Sequence, residues 1–176
     1  MPEISHRVAV IGAGLMGSSI ATRLLDRGLN VTVFDLDPSK AELLVGKGAA
    51  FASSVAKAVS ESDFVVLSLN HADIVSTVVF GAAGVAQSAL PEKLLIDMSS
   101  IDPKDTAEMA AKLLKETGMA WVDCPLSGGV PGALAGRLTI MAGGTPQDFE
   151  RARSVMQHLA ANYTLMGPCG AGQTVK

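Results

Sequence analysis

The sequence of 176 residues has the length of one domain, or of one domain with the start of a second, and 48% apolar against 18% charged residues describes a chain that buries a core. A net charge of −3 with no run of Lys or Arg excludes a nucleic-acid partner, for want of any electrostatic footprint. No window of 18 apolar residues marks a membrane span, and two cysteines, Cys124 and Cys169, supply neither a disulfide framework nor a metal-ligand spacing.

The amino-terminal stretch MPEISHRVAVIG lacks the basic region and small-residue cleavage site of a secretion signal, so the chain reads as cytoplasmic. Its first strand is RVAVI (7–11), which GAGLMG (12–17) turns into the helix LMGSSIATRLLDRG (15–28). NVTVF (30–34) is the second strand, AAF (49–51) a short one, and DFVVLSL (63–69), KLLIDM (93–98), MAWVD (119–123), RLTIMA (137–142) and NYTLM (162–166) follow. Apolar runs of this kind, alternating with helical segments, describe an α/β fold of the doubly wound Rossmann type, with a mostly parallel sheet covered by helices on both faces. Asp37-Pro38, Asp102-Pro103 and Thr145-Pro146 each place a capping side chain before a proline at a first helical position. After the last of these, Phe149, Ala152, Val155, Met156 and Leu159 share one helical stripe, which faces the sheet. Residues 1–166 form one unit, and 167–176 open a new element.

GAGLMG follows a strand, opens a helix and fits G-x-G-x-x-G, the turn of a dinucleotide site. Gly12 makes the tight turn, Gly14 admits the pyrophosphate against the backbone, and Gly17 lets helix and strand pack closely. Ala13, Leu15 and Met16 complete the loop, whose helix end presents free N–H groups to phosphate. Asp35 ends the second strand, 23 residues after Gly12, where a carboxylate accepts hydrogen bonds from a ribose diol. With Asp37 nearby a 2′-phosphate meets like charge, which favours NAD over NADP, and Lys40 softens that discrimination.

Four further motifs narrow the chemistry: DMSS (97–100), DCPLSGG (123–129), AGRLTIMAGG (135–144) and GPCGAGQTVK (167–176). Together with GAGLMG, and over essentially the whole chain, they resemble the β-hydroxyacid dehydrogenase family, the group of 3-hydroxyisobutyrate dehydrogenase and tartronate semialdehyde reductase, more distantly related to 6-phosphogluconate dehydrogenase. The resemblance implies that Ser127, Gly128 and Gly129 bind the carboxylate of a small 3-hydroxy acid and that Ser99 and Ser100 lie on the nicotinamide side of the cofactor. It makes Lys176, the lysine of GxGxxxK, the catalytic acid and base. A lysine takes the proton of an alcohol when burial and neighbours lower its pKa. Where the family carries Leu-Pro after the fourth strand this chain has SLNHAD, so that Leu69 and Asn70 are placed near the cofactor, or Asn70 caps the next helix. His71 is expected in solvent and Cys124 in the core.

The family continues past the lysine into an all-helical domain that supplies dimer contacts, so the intact protein is expected to be a homo-oligomer. A helix with only six residues after Gly170 and without a packing partner is too short to persist, which predicts a poorly placed Lys176 and a chain that binds NAD but turns over slowly or not at all. Two other readings stand beside the dehydrogenase: an imine reductase, which usually lacks the lysine, and a non-catalytic dinucleotide-binding module.

Overall fold

Alternation along each apolar run decides where the chain goes. In RVAVI, Val8 and Val10 join one buried cluster while Ala9 and Ile11 join the other, so this strand needs cover on both faces. The computed structural model, which describes residues 6–176, supplies that cover. The first five residues, part of the stretch behind the cytoplasmic reading, lie outside the described part. Strand β1 (Arg7–Ile11) leads through α1 (Leu15–Asp26), β2 (Asn30–Phe34), α2 (Glu42–Gly46), β3 (Ala50–Phe51), α3 (Val55–Ser60), β4 (Phe64–Leu67), α4 (Ala72–Phe80), β5 (Leu94–Asp97) and α5 (Pro103–Thr117) to β6 (Ala120–Asp123). These six strands are parallel, in the order β3-β2-β1-β4-β5-β6, which is the doubly wound Rossmann arrangement. The chain continues through β7 (Leu126–Ser127), α6 (Gly129–Ala135), β8 (Leu138–Gly143), α7 (Pro146–Met156), β9 (Ala160–Gly167) and α8 (Ala171–Val175).

Two buried clusters sandwich the sheet. Ile20, Leu24, Ala152 and Val155 from α1 and α7 lie with Val10, Val66, Ile96 and Val122 on one face. Val59, Val75, Val79 and Leu113 from α3, α4 and α5 lie with Ile11, Val65, Leu67 and Leu95 on the other. The α7 stripe is buried as its spacing requires. All three predicted caps form: Asp37 accepts from the Ser39 amide, Asp102 from Lys104 and Thr145 from Asp148.

The structure corrects several expectations. Residues after Asp37-Pro38 first form a 3-10 turn, and α2 starts only at Glu42. The strand read as 63–69 pairs only from Phe64 to Leu67, because the Leu69 amide leaves the ladder to donate to Ser99 Oγ at 3.1 Å. Neither β7 nor α6 is predicted; each is short, and both lie in a glycine-rich stretch without a period. Strand β8 runs antiparallel to β6 and β7, and parallel to β9. Asn70 caps nothing, since α4 opens at Ala72 with His71 in the cap position and no capping side chain.

Candidate active site

Sheet order reverses direction between β1 and β4, where a doubly wound fold opens a crevice beyond the strands' C-terminal ends. The glycine turn forms one lip of it. Gly12 has φ +99°, and a Cβ there would run into the carbonyl of Ser68 on the neighbouring strand. A Cβ on Gly17 would run into the carbonyl of Gly12, so α1 packs against the turn backbone to backbone. A Cβ on Gly14 would meet nothing within 4 Å. That open space lies at the N-terminus of a 12-residue helix whose end no side chain caps, which is the arrangement that takes a phosphate.

Asp35 reaches back to this turn. Its Oδ2 accepts from the Ala13 amide at 2.8 Å and its Oδ1 from the Asp37 amide at 2.8 Å, so the acid is fixed beside the loop it helps to shape. Leu15 and Leu36, next to the turn and to the acid, are 83% and 92% exposed. Phe34 and Leu36 also border a cavity of about 520 Å³, whose far wall carries Ile74, Thr77 and Val78 of α4.

A cleft of about 490 Å³ gathers most of the predicted residues from five places in the chain. Met16 enters from α1, Leu69 and Asn70 from beyond β4, and Ser99 and Ser100 from beyond β5. Ser127, Gly128 and Gly129 come from the β7–α6 junction, and Lys176 from the end of α8. The Lys176 ammonium donates to the Leu126 carbonyl at 2.7 Å and lies 3.5 Å from Ser127 Oγ. Ser100 is exposed, but Ser99 is buried, its hydroxyl accepting from the Leu69 amide. A different cavity of about 650 Å³, between α5 and the β9–α8 turn, is lined mainly by apolar side chains and holds none of the predicted residues.

Expectation and structure differ over Lys176. The short helix that carries it does have packing partners, because the buried Asp123 accepts from the amides of Gly170 and Gln173. Gln173 in turn donates to the Ser99 carbonyl. Sequence reasoning named neither residue, although Asp123 opens DCPLSGG and Gln173 stands inside GxGxxxK.

Below the cleft Asp97, fully buried, pairs in register with Asp123 on the next strand. Burial pushes its carboxyl up to about 7; hydrogen bonding from Ser99 opposes that rise and the neighbouring Asp123 adds to it. Cys124 is buried as expected, and burial drives its thiol well above the usual range. His71 is exposed. Among the described residues, no group of three metal-ligating side chains occurs, and no helix is long and apolar enough to cross a membrane.

Residues 7–167 match the family model of the NAD-binding domain of 6-phosphogluconate dehydrogenase. The chain belongs to this family. It is 38% identical to 2-(hydroxymethyl)glutarate dehydrogenase of Eubacterium barkeri over 99% of its own length and 58% of that enzyme's. A structure of 3-hydroxyisobutyrate dehydrogenase from Mycobacterium tuberculosis with L-serine superposes with a TM-score of 0.91 at 34% identity, over 98% of this chain and 58% of that one. An imine reductase variant from Myxococcus stipitatus in complex with NAD+ has a TM-score of 0.90 over 98% of this chain and 58% of its own, but at 24% identity it shares the fold alone. The chain therefore spans a little over half the length of these relatives.

Proposed function

We propose that this chain is the cofactor domain of an oxidoreductase that moves a hydride between NAD and a small 3-hydroxy acid. The observation that carries the reading is the 3.5 Å approach of Lys176 Nζ to Ser127 Oγ inside the cleft that Ser100, Gly128 and Gly129 also line. A proton-handling amine and a carboxylate-binding corner thus stand side by side, which a module that only binds NAD does not need.

The residues present fit the cofactor. The uncapped start of α1 and the space over Gly14 take the pyrophosphate, Asp35 the adenosine ribose, and the cavity between Leu36 and α4 the adenine. Bound NAD supplies the hydride acceptor, or in the reverse direction the donor. Ser127 Oγ and the amides of Gly128 and Gly129 hold the substrate carboxylate, and Asn70 and Ser100 border the nicotinamide side. Lys176 Nζ takes the proton from the substrate hydroxyl as the hydride leaves, and returns it when the reaction runs as a reduction. L-serine, which accompanies the mycobacterial relative, is itself a 3-hydroxy acid and belongs in the substrate panel. Its two free cysteines suit the reducing cytoplasm. In a protein of the relatives' length α8 would continue into a second, helical domain, which we take to carry homo-oligomer contacts.

Two measurements test this. Calorimetric titration should give NAD binding at least about tenfold tighter than NADP, because Asp35 and Asp37 repel a 2′-phosphate. Turnover of the 176-residue chain should be slow, since Lys176 is exposed and the cleft is open to water. Lys176→Ala should lower that turnover by roughly 10²–10⁴-fold and leave NAD affinity unchanged. No binding of NAD, or a variant as active as the unsubstituted chain, would overturn the reading.

A further inference from the structure

Helix α8 has five residues, too few to persist by local hydrogen bonds, and its own sequence supplies no capping side chain. Asp123, at the end of β6 and fully buried, fills that role across the fold: Oδ1 accepts from the Gly170 amide at 2.7 Å and Oδ2 from the Gln173 amide at 2.9 Å. The approach is so close that a Cβ on Gly172 would collide with this carboxyl group and with the Met141 carbonyl. Gln173 then ties the helix to a second place. Its Nε2 donates to the Ser99 carbonyl at 2.7 Å and its Oε1 accepts from the Ile101 amide at 3.3 Å. Neither Asp123 nor Gln173 lines the cleft, whereas Ser99, Ser100 and Lys176 do.

We propose that Asp123 and Gln173 are positioning residues: they clamp the first turn of α8 to β6 and to the 99–101 turn, and so set the Lys176 ammonium against Ser127. The inference rests on the reading of Lys176 as the acid and base. The clamp makes the two sides of the cleft one rigid piece, because the turn that faces the cofactor and the helix that carries the lysine share the Gln173 amide group. It also explains two buried polar side chains that the chemistry itself leaves idle, since buried polar groups are held by partners or are costly.

The test uses Asp123→Asn and Gln173→Ala in the 176-residue chain, read by NMR and by NAD titration. In the unsubstituted chain the 3.5 Å separation of Lys176 Nζ and Ser127 Oγ should give a nuclear Overhauser contact between the Lys176 Hε and Ser127 Hβ protons. Both variants should lose that contact, and the amides of Gln173, Thr174 and Lys176 should exchange roughly tenfold faster. The amides of β1 and α1 and the NAD affinity should stay within about twofold. Retention of the contact with unchanged α8 exchange in both variants would overturn the proposal. So would general loss of the fold in Gln173→Ala, which would mark a purely structural residue; should Asp123→Asn unfold because its acid is buried, Gln173→Ala alone decides. Failure of NAD to bind the unsubstituted chain would instead sink the functional reading, and the contact and exchange data would still judge the clamp.

Discussion

Three acids at strand ends show how one side-chain type is put to different uses by its surroundings. Asp35 is half-buried and shapes the glycine turn, Asp123 holds α8, and Asp97 is sealed beneath the cleft with Oδ2 unpartnered. The carboxyl of Asp97, raised to about 7, keeps its proton in the folded chain over a range in which the unfolded chain has already lost it. Between about pH 4 and 7 the folded state therefore binds more protons than the unfolded one, and its stability falls as pH rises, by at most about 1.4 kcal/mol per pH unit. Asp97→Asn keeps the acceptor for the Ser99 amide and removes the titration. Urea unfolding of this variant should show a flatter pH dependence across that window and a stability at pH 8 equal to or above that of the unsubstituted chain. The sequence singles out Asp35 by its distance from the glycine turn, and Ser127 and Lys176 through the family resemblance of their motifs; the structure brings the last two into one cleft. Asp123 and Gln173 were not legible in the sequence, because their meaning lies in partners 47 to 74 residues away that only the fold brings close.

Elements tell the same story in a different currency of information. Strands β1 and β2 coincide with the apolar runs that announced them, and the Pro-marked helix starts are capped as read. Pairing direction is not local, so the antiparallel entry of β8 was invisible, as was the early exit of Leu69 from the sheet to line the cleft. The glycine turn separates packing from binding in a way that can be measured. Gly17→Ala forces a Cβ into the Gly12 carbonyl, which is backbone and cannot rotate away. It should cost about 1–3 kcal/mol in urea unfolding together with NAD affinity. Gly14→Ala, with open space around the new methyl, should leave stability within about 0.5 kcal/mol and still weaken NAD binding, because the methyl takes the room left for phosphate.

Across the whole molecule, the parallel strands bring the glycine turn, the two serine corners and the lysine to one edge of the sheet, while the other edge is given to structure. There Arg7 pairs with Asp63, and the buried Lys93 donates to the carbonyls of Val59 and Ser62. On the proposed reading the cofactor would contact several elements of the sheet, so its binding should stabilise all of them together. NAD at about a hundredfold excess over its dissociation constant adds about 2.7 kcal/mol. For a chain of this size, melting followed by circular dichroism should rise by roughly 5–10 °C, with a smaller rise at the same concentration of NADP. One feature limits how such a protein can change its diet. Asp35 both shapes the phosphate loop through the Ala13 amide and, on the reading given above, selects the sugar. Selection and scaffold are thus inherited together, so that a lineage or an engineer who removes the acid to admit a 2′-phosphate also loosens the loop, and the route to the other cofactor runs through paired substitutions, not a single step.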